Sequence, residues 1–275
     1  MEIDKVAFIV HPTKPEAARM RNEIEEVLAQ RSIAVCSAER PTPPRGDDES
    51  PDLVLALGGD GTMLHAAHTA HAADAPLLGV NFGSLGYLTE VDAGEELSAL
   101  KRVLDGDYRL EERMMLDCRV TSDGQEAHLV GLNEVLVERS ARYRLVRLEV
   151  SVSGERLATF NADGVIVATP TGSTAYALSA GGPIISPRAA ALVIVPVSPH
   201  MVFSRPVVLA ADDEVTIRVD ESAPVAVLSL DGRLGRNLQP GDVVTARRHE
   251  RPLELVRLGG PDFLERLRRK LDLRS

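Results

Sequence analysis

Near Glu111 the hydrophobic rhythm of the sequence changes, and no uniform architecture satisfies both halves. Before it, short apolar runs alternate with segments of helical spacing. Lys5–Val10 reads as a strand, and Pro15–Arg31 as a helix carrying Met20, Ile24, Val27 and Leu28 on one face. Ile33–Cys36 is a second strand, and Glu39–Pro51, rich in proline and acid, is a surface loop. Leu53–Leu57 is apolar at every position, as expected of a strand covered on both faces in a parallel sheet. A helix over Thr62–Ala73, a strand over Pro76–Asn81 and a helix over Glu95–Leu104 complete an open α/β pattern with right-handed crossovers.

After Glu111 the segments are short and valine-rich: Leu116–Val120, Leu132–Glu138, Val146–Val152, Val165–Ala168, Val193–Val197, Val207–Leu209, Val215–Val219, Val225–Leu230 and Val243–Arg247. Gly, Asp, Ser or Pro turns separate most of them, which predicts an all-β sandwich interrupted by one glycine-rich helical turn near Ser173–Ala180. The expected domains are therefore residues 1–110, α/β, and 111–254, all-β. A helix over 255–275 packs back on the first domain. Within it Pro261–Ser275 sets Phe263, Leu264, Leu267 and Leu271 on one side and Arg266, Arg268, Arg269 and Lys270 on the other. Docking through the apolar side is the expectation; a membrane-surface helix is the alternative.

Composition narrows the partners. The 275 residues hold 31 Lys and Arg against 41 Asp and Glu, a formal charge of −10, which disfavours nucleic acid and anionic membranes. No apolar run reaches the ~20 residues that cross a bilayer, and the first residues carry acids where a signal peptide carries bases. Two cysteines, Cys36 and Cys118, make neither a disulfide framework nor a zinc site, and a cytoplasmic setting is expected. An acidic chain that binds phosphates needs helix N-termini, backbone N–H groups, a few arginines or a metal ion to do so.

Gly58-Gly59-Asp60-Gly61-Thr62 lies where the buried strand meets a helix, the place where open α/β sheets bind anions. It is neither a dinucleotide fingerprint nor a P-loop. A carboxylate facing a phosphate repels it, so Asp60 suits a loop that takes a proton from an attacking hydroxyl or holds a metal ion; N-capping the helix is the plainer alternative. The run from Asp163 to Gly182 packs Thr169, Thr171, Ser173, Thr174, Tyr176 and Ser179 among small residues. It fits either a narrow cleft for a nucleotide or a tightly packed loop. Asn133-Glu134 has the donors and acceptors to grip ribose hydroxyls, and is also an ordinary polar strand start. His65, His68 and His71 drift around one helix with no acid or thiol to complete a metal site, so no dedicated protein ligand for a metal is expected.

These motifs, with Asn81-Phe-Gly-Ser-Leu-Gly-Tyr-Leu-Thr89, Ser179-Ala-Gly-Gly-Pro183, Pro199-His200, Arg205-Pro206 and Leu230-Asp231-Gly232, stand in an order that resembles bacterial NAD kinases over about Val6 to Leu271. GGDGT alone is shared with diacylglycerol and sphingosine kinases; the long DGVIVATPTGSTAYALSAGGP block is far more specific. The resemblance implies a Rossmann-like α/β domain and a β-sandwich with an active site between them. It also implies transfer of the γ-phosphoryl of ATP, or of polyphosphate, to the 2′-hydroxyl of the adenosine ribose of NAD, assisted by a divalent ion, Mg²⁺. By the same resemblance Asp60 is the general base with Gly61 beside it at the phosphates, and Gly58 to Thr62 form the donor loop. Asn133 and Glu134 hold ribose hydroxyls, Asp163 the nicotinamide side, and Thr174, Ala175, Tyr176, Ala177, Leu178 and Ser179 the adenine and ribose. His65, Arg144, Asn161, Thr171, Ser198 and Arg233 occupy further NAD-contact positions; that of Asn161 is often basic in the family and that of Arg233 usually an amide. A homodimer or homotetramer is implied, in which neighbours complete the NAD site. The rivals are a lipid kinase built on the same loop, against which the chain offers no basic membrane face, and a non-catalytic NAD(P) sensor, which would have no need of Asp60.

Overall fold

A computed structural model describes residues 2–36, 50–83, 86–122, 124–141, 144–260 and 262–272; most of the Glu39–Pro51 loop lies outside them. The chain forms two compact units, one of residues up to Glu112 together with those from Leu253 onward, the other of Arg113–Pro252.

The first unit is built around β3 (Leu53–Gly58), buried at every position. It lies between β1 (Lys5–Val10) and β4 (Leu77–Asn81), both parallel to it. β2 (Ala34–Cys36) extends the sheet beyond β1, and β5 (Val91–Asp92) pairs with β4. Beyond β4 the sheet continues through β19 (Leu253–Arg257) to β6 (Arg109–Arg113). Three helices follow strands in the expected manner. α1 (Pro15–Gln30) starts with proline, whose missing N–H costs nothing at that position, and buries Ala17, Ile24 and Leu28. α2 (Asp60–Ala73) starts two residues earlier than its apolar pattern indicates, and α3 (Glu96–Leu104) buries Ala99, Leu100 and Val103. Because β2 lies on one side of β1 and β3 on the other, strand order reverses between β1 and β3. That reversal opens a crevice at the carboxyl ends of the strands, where GGDGT lies.

The expected C-terminal helix over 255–275 is corrected in two respects. Leu253–Arg257 is a strand, its Leu255 in register with Leu77 of β4, and the helix α5 is confined to Phe263–Lys270 after Gly259-Gly260. The alternating Leu253, Leu255 and Arg257 favour the extended form once a partner strand is available. Moreover, α5 buries Arg266 at 4% exposure, whereas Leu264 stays 62% exposed. A buried carboxylate beneath the helix, Glu90, demands a cation there and overrides the apolar stripe.

The second unit is two antiparallel six-stranded sheets. One joins β7 (Leu116–Ser122), β8 (Gln125–Gly131), β10 (Val146–Val152), β11 (Glu155–Ala162), β15 (Val215–Val219) and β18 (Val243–Arg248) in the order β11-β10-β15-β18-β7-β8. The other joins β9 (Glu134–Arg139), β12 (Gly164–Ala168), β13 (Ala191–Val197), β14 (Val207–Ala210), β16 (Ala226–Leu230) and β17 (Arg233–Leu238) in the order β14-β13-β12-β9-β16-β17. Alternate residues of both sheets, such as Val135, Val137, Leu148, Val150 and Ile217, meet in one aliphatic core around Phe160. The opposite face of the second sheet, with Leu136, Ile166, Val193 and Val195, is covered by α4 (Tyr176–Ser179) through Ala177. β9, β12 and β13 are thus buried on both faces, which explains their nearly unbroken apolar runs.

Candidate active site

In the first unit the site grows from the end of β3. Gly59 is the N-cap of α2 with φ −117° and makes no side-chain cap; the Thr62 and Met63 N–H groups donate to its carbonyl. The Asp60 side chain therefore does not cap its own helix. It reaches across to the segment after β4, where Oδ2 accepts from the Tyr87 N–H at 3.0 Å and Oδ1 from the Leu88 N–H at 3.1 Å. Gly86 makes room for this, since a Cβ there would lie 2.3 Å from Asp60 Oδ1. The carboxylate keeps 32% of its side-chain surface exposed, with Lys270 Nζ 4.0 Å away. Two charge-assisted bonds on its inner side thus fix its orientation and leave an outer edge available. Burial, and secondarily the Asp60 charge, push the Tyr87 phenol above its ordinary range.

The glycines of the loop divide by role. A Cβ on Gly58 would lie 2.1 Å from Thr62 Oγ1, so this glycine serves the packing of the buried Thr62. Cβ atoms on Gly59 and Gly61 would meet nothing within 4 Å. Nothing within the fold asks for glycine at these two positions, and the first N–H groups of α2 lie beside them.

In the second unit Asp231, buried and at φ 50°, gathers three backbone donors. Leu132 N–H reaches Oδ2 at 2.7 Å; Asn133 and Glu134 N–H reach Oδ1 at 2.7 and 3.1 Å. Asn133 in turn receives the hydroxyl-rich turn, its carbonyl accepting from the Thr169 N–H at 2.9 Å. Thr169 Oγ1 and Ser173 Oγ are consumed internally, by Leu132 O and Gly172 N–H and by Pro170 O and Ile185 N–H respectively. Thr174 Oγ1 donates to Thr171 O. Glu134 Oε2 and Thr171 Oγ1, in these same segments, are buried without a hydrogen-bond partner. Burial, reinforced by the Asp231 charge, pushes the Glu134 carboxyl up to about 7. An unpartnered carboxylate oxygen and hydroxyl beside an Asn amide are what a ligand bearing several hydroxyls can satisfy.

With this geometry described, comparison with known proteins is decisive. The chain is 40% identical to the NAD kinase of Heliobacterium modesticaldum over 97% of its own length and 98% of that protein. The chain belongs to the NAD kinase family. The NAD kinase of Symbiobacterium thermophilum is 41% identical, with the same coverage. The ATP-NAD kinase N-terminal domain matches residues 40–108 and the C-terminal domain residues 132–258. In fold, the chain resembles yeast NADH kinase complexed with NADH, at TM-score 0.88 and 24% identity, covering 100% of this chain and 89% of that one. It also resembles an Archaeoglobus fulgidus NAD kinase in complex with ATP, at TM-score 0.74 and 23% identity, covering 98% and 99%.

Placed on this family member, the expected NAD-contact residues fall into separate groups. Asn133 and Glu134 are held by the Asp231 clamp, with Arg233 two residues beyond it. Thr171 and Thr174 belong to the turn that Thr169 ties to Asn133, followed by Ala175, exposed Tyr176, Leu178 and exposed Ser179. Ala177 turns its methyl into the core instead. Asn161, Asp163 and Ser198 lie at the other end of β12, about 13 Å away at the rise of a strand. There Asp163 Oδ1 is 2.6 Å from Arg139 Nε, Asp163 N–H donates to Val197 O, and His200 N–H donates to Asn161 O. Arg144 is exposed before β10, and Gly61 and His65 are exposed in the first turns of α2. Among the described residues no three His, Cys, Asp or Glu side chains converge as a metal site, and no helix is long and apolar enough to cross a membrane.

Sequence reasoning missed the layer behind Asp60. Glu90, 2% exposed, is paired with Arg257 Nη1 at 3.1 Å and Arg266 Nη2 at 3.0 Å. Its other oxygen accepts from Leu258 and Gly260 N–H. Arg257 Nη2 also lies 3.4 Å from Glu111. Burial, and secondarily Arg257, push the Arg266 guanidinium below its usual range, opposed by Glu90. The sequence carries little signal of it: Arg257 closes a mostly apolar strand, and Arg266 is one of four basic residues in α5.

Proposed function

We propose that this chain phosphorylates NAD, transferring the γ-phosphoryl of ATP, or of polyphosphate, to the 2′-hydroxyl of the adenosine ribose. The observation that carries the reading is the placement of Asp60. It is released from capping, held on its inner side by two N–H groups, open on its outer side, and flanked by two glycines that the fold itself does not require. Such a carboxylate accepts the hydroxyl proton as the new O–P bond forms and the bond to the leaving ADP breaks. Charge on the transferring group is met by the N–H groups opening α2 and by Mg²⁺ arriving with the donor.

In the second unit, Asn133 and Glu134 take ribose hydroxyls, with the unpartnered Glu134 and Thr171 oxygens as the open valences. Thr174 to Ser179 line the adenine side and Asp163 the nicotinamide side. The gathering of these residues at opposite ends of β12 supports a homo-oligomer in which a neighbour completes the NAD site. The divalent ion and a cytoplasmic setting belong to the same reading, and a lipid acceptor or a purely NAD-sensing role finds no feature here in its favour.

The test is NADP formation from NAD and Mg-ATP by the purified protein, with polyphosphate and no-donor lanes. Asp60→Asn is expected to keep its fold and its NAD affinity and to lose roughly 10²–10⁴-fold in turnover. Wild-type turnover in that variant removes Asp60 from the role of base.

A further inference from the structure

The segment Gly86–Glu90 is held from both sides. Toward the site, Tyr87 and Leu88 N–H donate to the two oxygens of Asp60. Away from it, the carbonyls of the same few residues are taken by guanidinium groups. Arg266 Nη1 donates to Thr89 O and, at 3.4 Å, to Gly86 O; Arg257 Nη1 donates to Leu88 O at 3.2 Å. Both arginines are fixed by the single buried carboxylate of Glu90. A buried ion cluster of this kind is a poor source of stability compared with apolar packing of the same volume. What it does provide is directional: a planar fork sets the plane and register of the peptides it grips. Here those peptides present the donors that orient Asp60. Lys270, four residues after Arg266 and so on the same helix face, lies 4.0 Å from Asp60 and against the Tyr87 ring at 5.3 Å.

We infer that β19 and α5, the last elements of the chain, are a positioning device for the base, in which Arg266 and Arg257, locked by Glu90, hold the 86–90 peptides so that Tyr87 and Leu88 aim the Asp60 carboxylate at the acceptor hydroxyl. The inference rests on the reading of Asp60 as base. It makes Arg266 a positioning residue, since it acts on Asp60 through the Gly86–Glu90 peptides whose carbonyls it grips.

Two substitutions approach the contact from opposite sides. Arg266→Lys keeps the buried charge but cannot reproduce the fork. Gly86→Ala leaves the arginines alone and places a methyl 2.3 Å from Asp60 Oδ1, pushing the carboxylate off its donors. Each is assayed for turnover, KM for NAD, thermal midpoint and amide hydrogen exchange. Both are expected to lower kcat roughly ten- to hundredfold, the order seen when a reacting group is misplaced by an ångström, with KM for NAD within about twofold. Arg266→Lys should also speed exchange at Tyr87 and Leu88 while the β1, β3 and β4 amides stay protected. A kcat unchanged in both variants overturns the inference, as does faster exchange with undiminished turnover. So does a loss that tracks the thermal midpoint with uniform loss of protection in β1, β3 and β4, because that marks a merely structural role. Where Arg266→Lys does not fold, Arg257→Lys, which loosens the grip on the Leu88 carbonyl, takes its place under the same criteria. Asp60→Asn in the same assay separates the two levels: if it is inactive while these variants are not, only the positioning role falls.

Discussion

Alanine substitution at the three glycines of GGDGT should separate folding from ligand approach. At Gly58 the new methyl carbon would stand 2.1 Å from Thr62 Oγ1 and 2.6 Å from its Cβ. Thr62 is buried, β-branched and tied to the first turn of α2, so it cannot swing clear and the helix must shift. Overpacking of this kind costs about 1–3 kcal/mol, which lowers the melting midpoint by roughly 5–10 °C for a unit of this size. Gly59 and Gly61 behave oppositely. Their Cβ positions are empty to 4 Å, and Gly59 has an ordinary extended φ of −117°. Gly61 lies inside α2, where alanine is favoured by up to about 1 kcal/mol. Gly59→Ala and Gly61→Ala should therefore melt at or above the wild-type temperature. Their methyls would nevertheless occupy the space through which a phosphate reaches the N–H groups, and kcat/KM for ATP should fall roughly 100-fold. Circular-dichroism melts and a coupled assay for NADP read both quantities. Stable Gly59→Ala and Gly61→Ala enzymes with wild-type kcat/KM would refute the assignment of that open space to the donor phosphates. A Gly58→Ala protein as stable as wild type would refute the packing argument.

Two further outcomes follow from the second unit and from the lack of converging metal ligands. Glu134 titrates near 7 in the folded chain against an ordinary 4.5, so the folded form keeps its proton longer than the unfolded one. The associated stability is present below about pH 4.5, declines as pH rises to about 7 and is then flat, a loss of about 3 kcal/mol. Glu134→Gln should abolish that decline in urea unfolding at pH 5 and pH 8, and equal pH dependence in the two proteins would contradict the assignment. Chelation of divalent ions should stop NADP formation while shifting the thermal midpoint of the ligand-free protein by less than about 1 °C, because among the described residues no three His, Cys, Asp or Glu side chains converge; a drop of several degrees would mean that an ion is built into the fold.

Much of this was readable because burial writes itself into sequence. β3, β9, β12 and β13, covered on both faces, are apolar runs that admit little else, and the change of period near Glu111 marks where one unit gives way to the other. Four of the strands that escaped notice share a location, whereas β19 lies inside its sheet. β6, β8, β11 and β17 each lie at the edge of a sheet, where one side faces no partner and charged residues such as Arg109, Glu126, Glu155 and Arg236 are tolerated. The motif residues stood out because their types are chemically unusual for a loop. What could not be found was the Glu90–Arg257–Arg266 cluster, whose carboxylate stands 167 and 176 positions before its two arginines and whose members look singly like surface charges. Only the register of β19 beside β4 brings them together.

That register also has a consequence for synthesis. β19 lies between β4 and β6, yet it is synthesised only after the whole of Arg113–Pro252. Until it emerges, the first unit has a sheet without the strand that joins β4 to β6 and no arginines behind Asp60, whereas Arg113–Pro252 already holds every strand of its two sheets. The order of translation therefore lets the inserted β unit fold first and its host close around the sheet afterwards. A chain cut at Pro252 would carry every strand of the β unit and lack both the inner strand β19 and the arginines that stand behind Asp60.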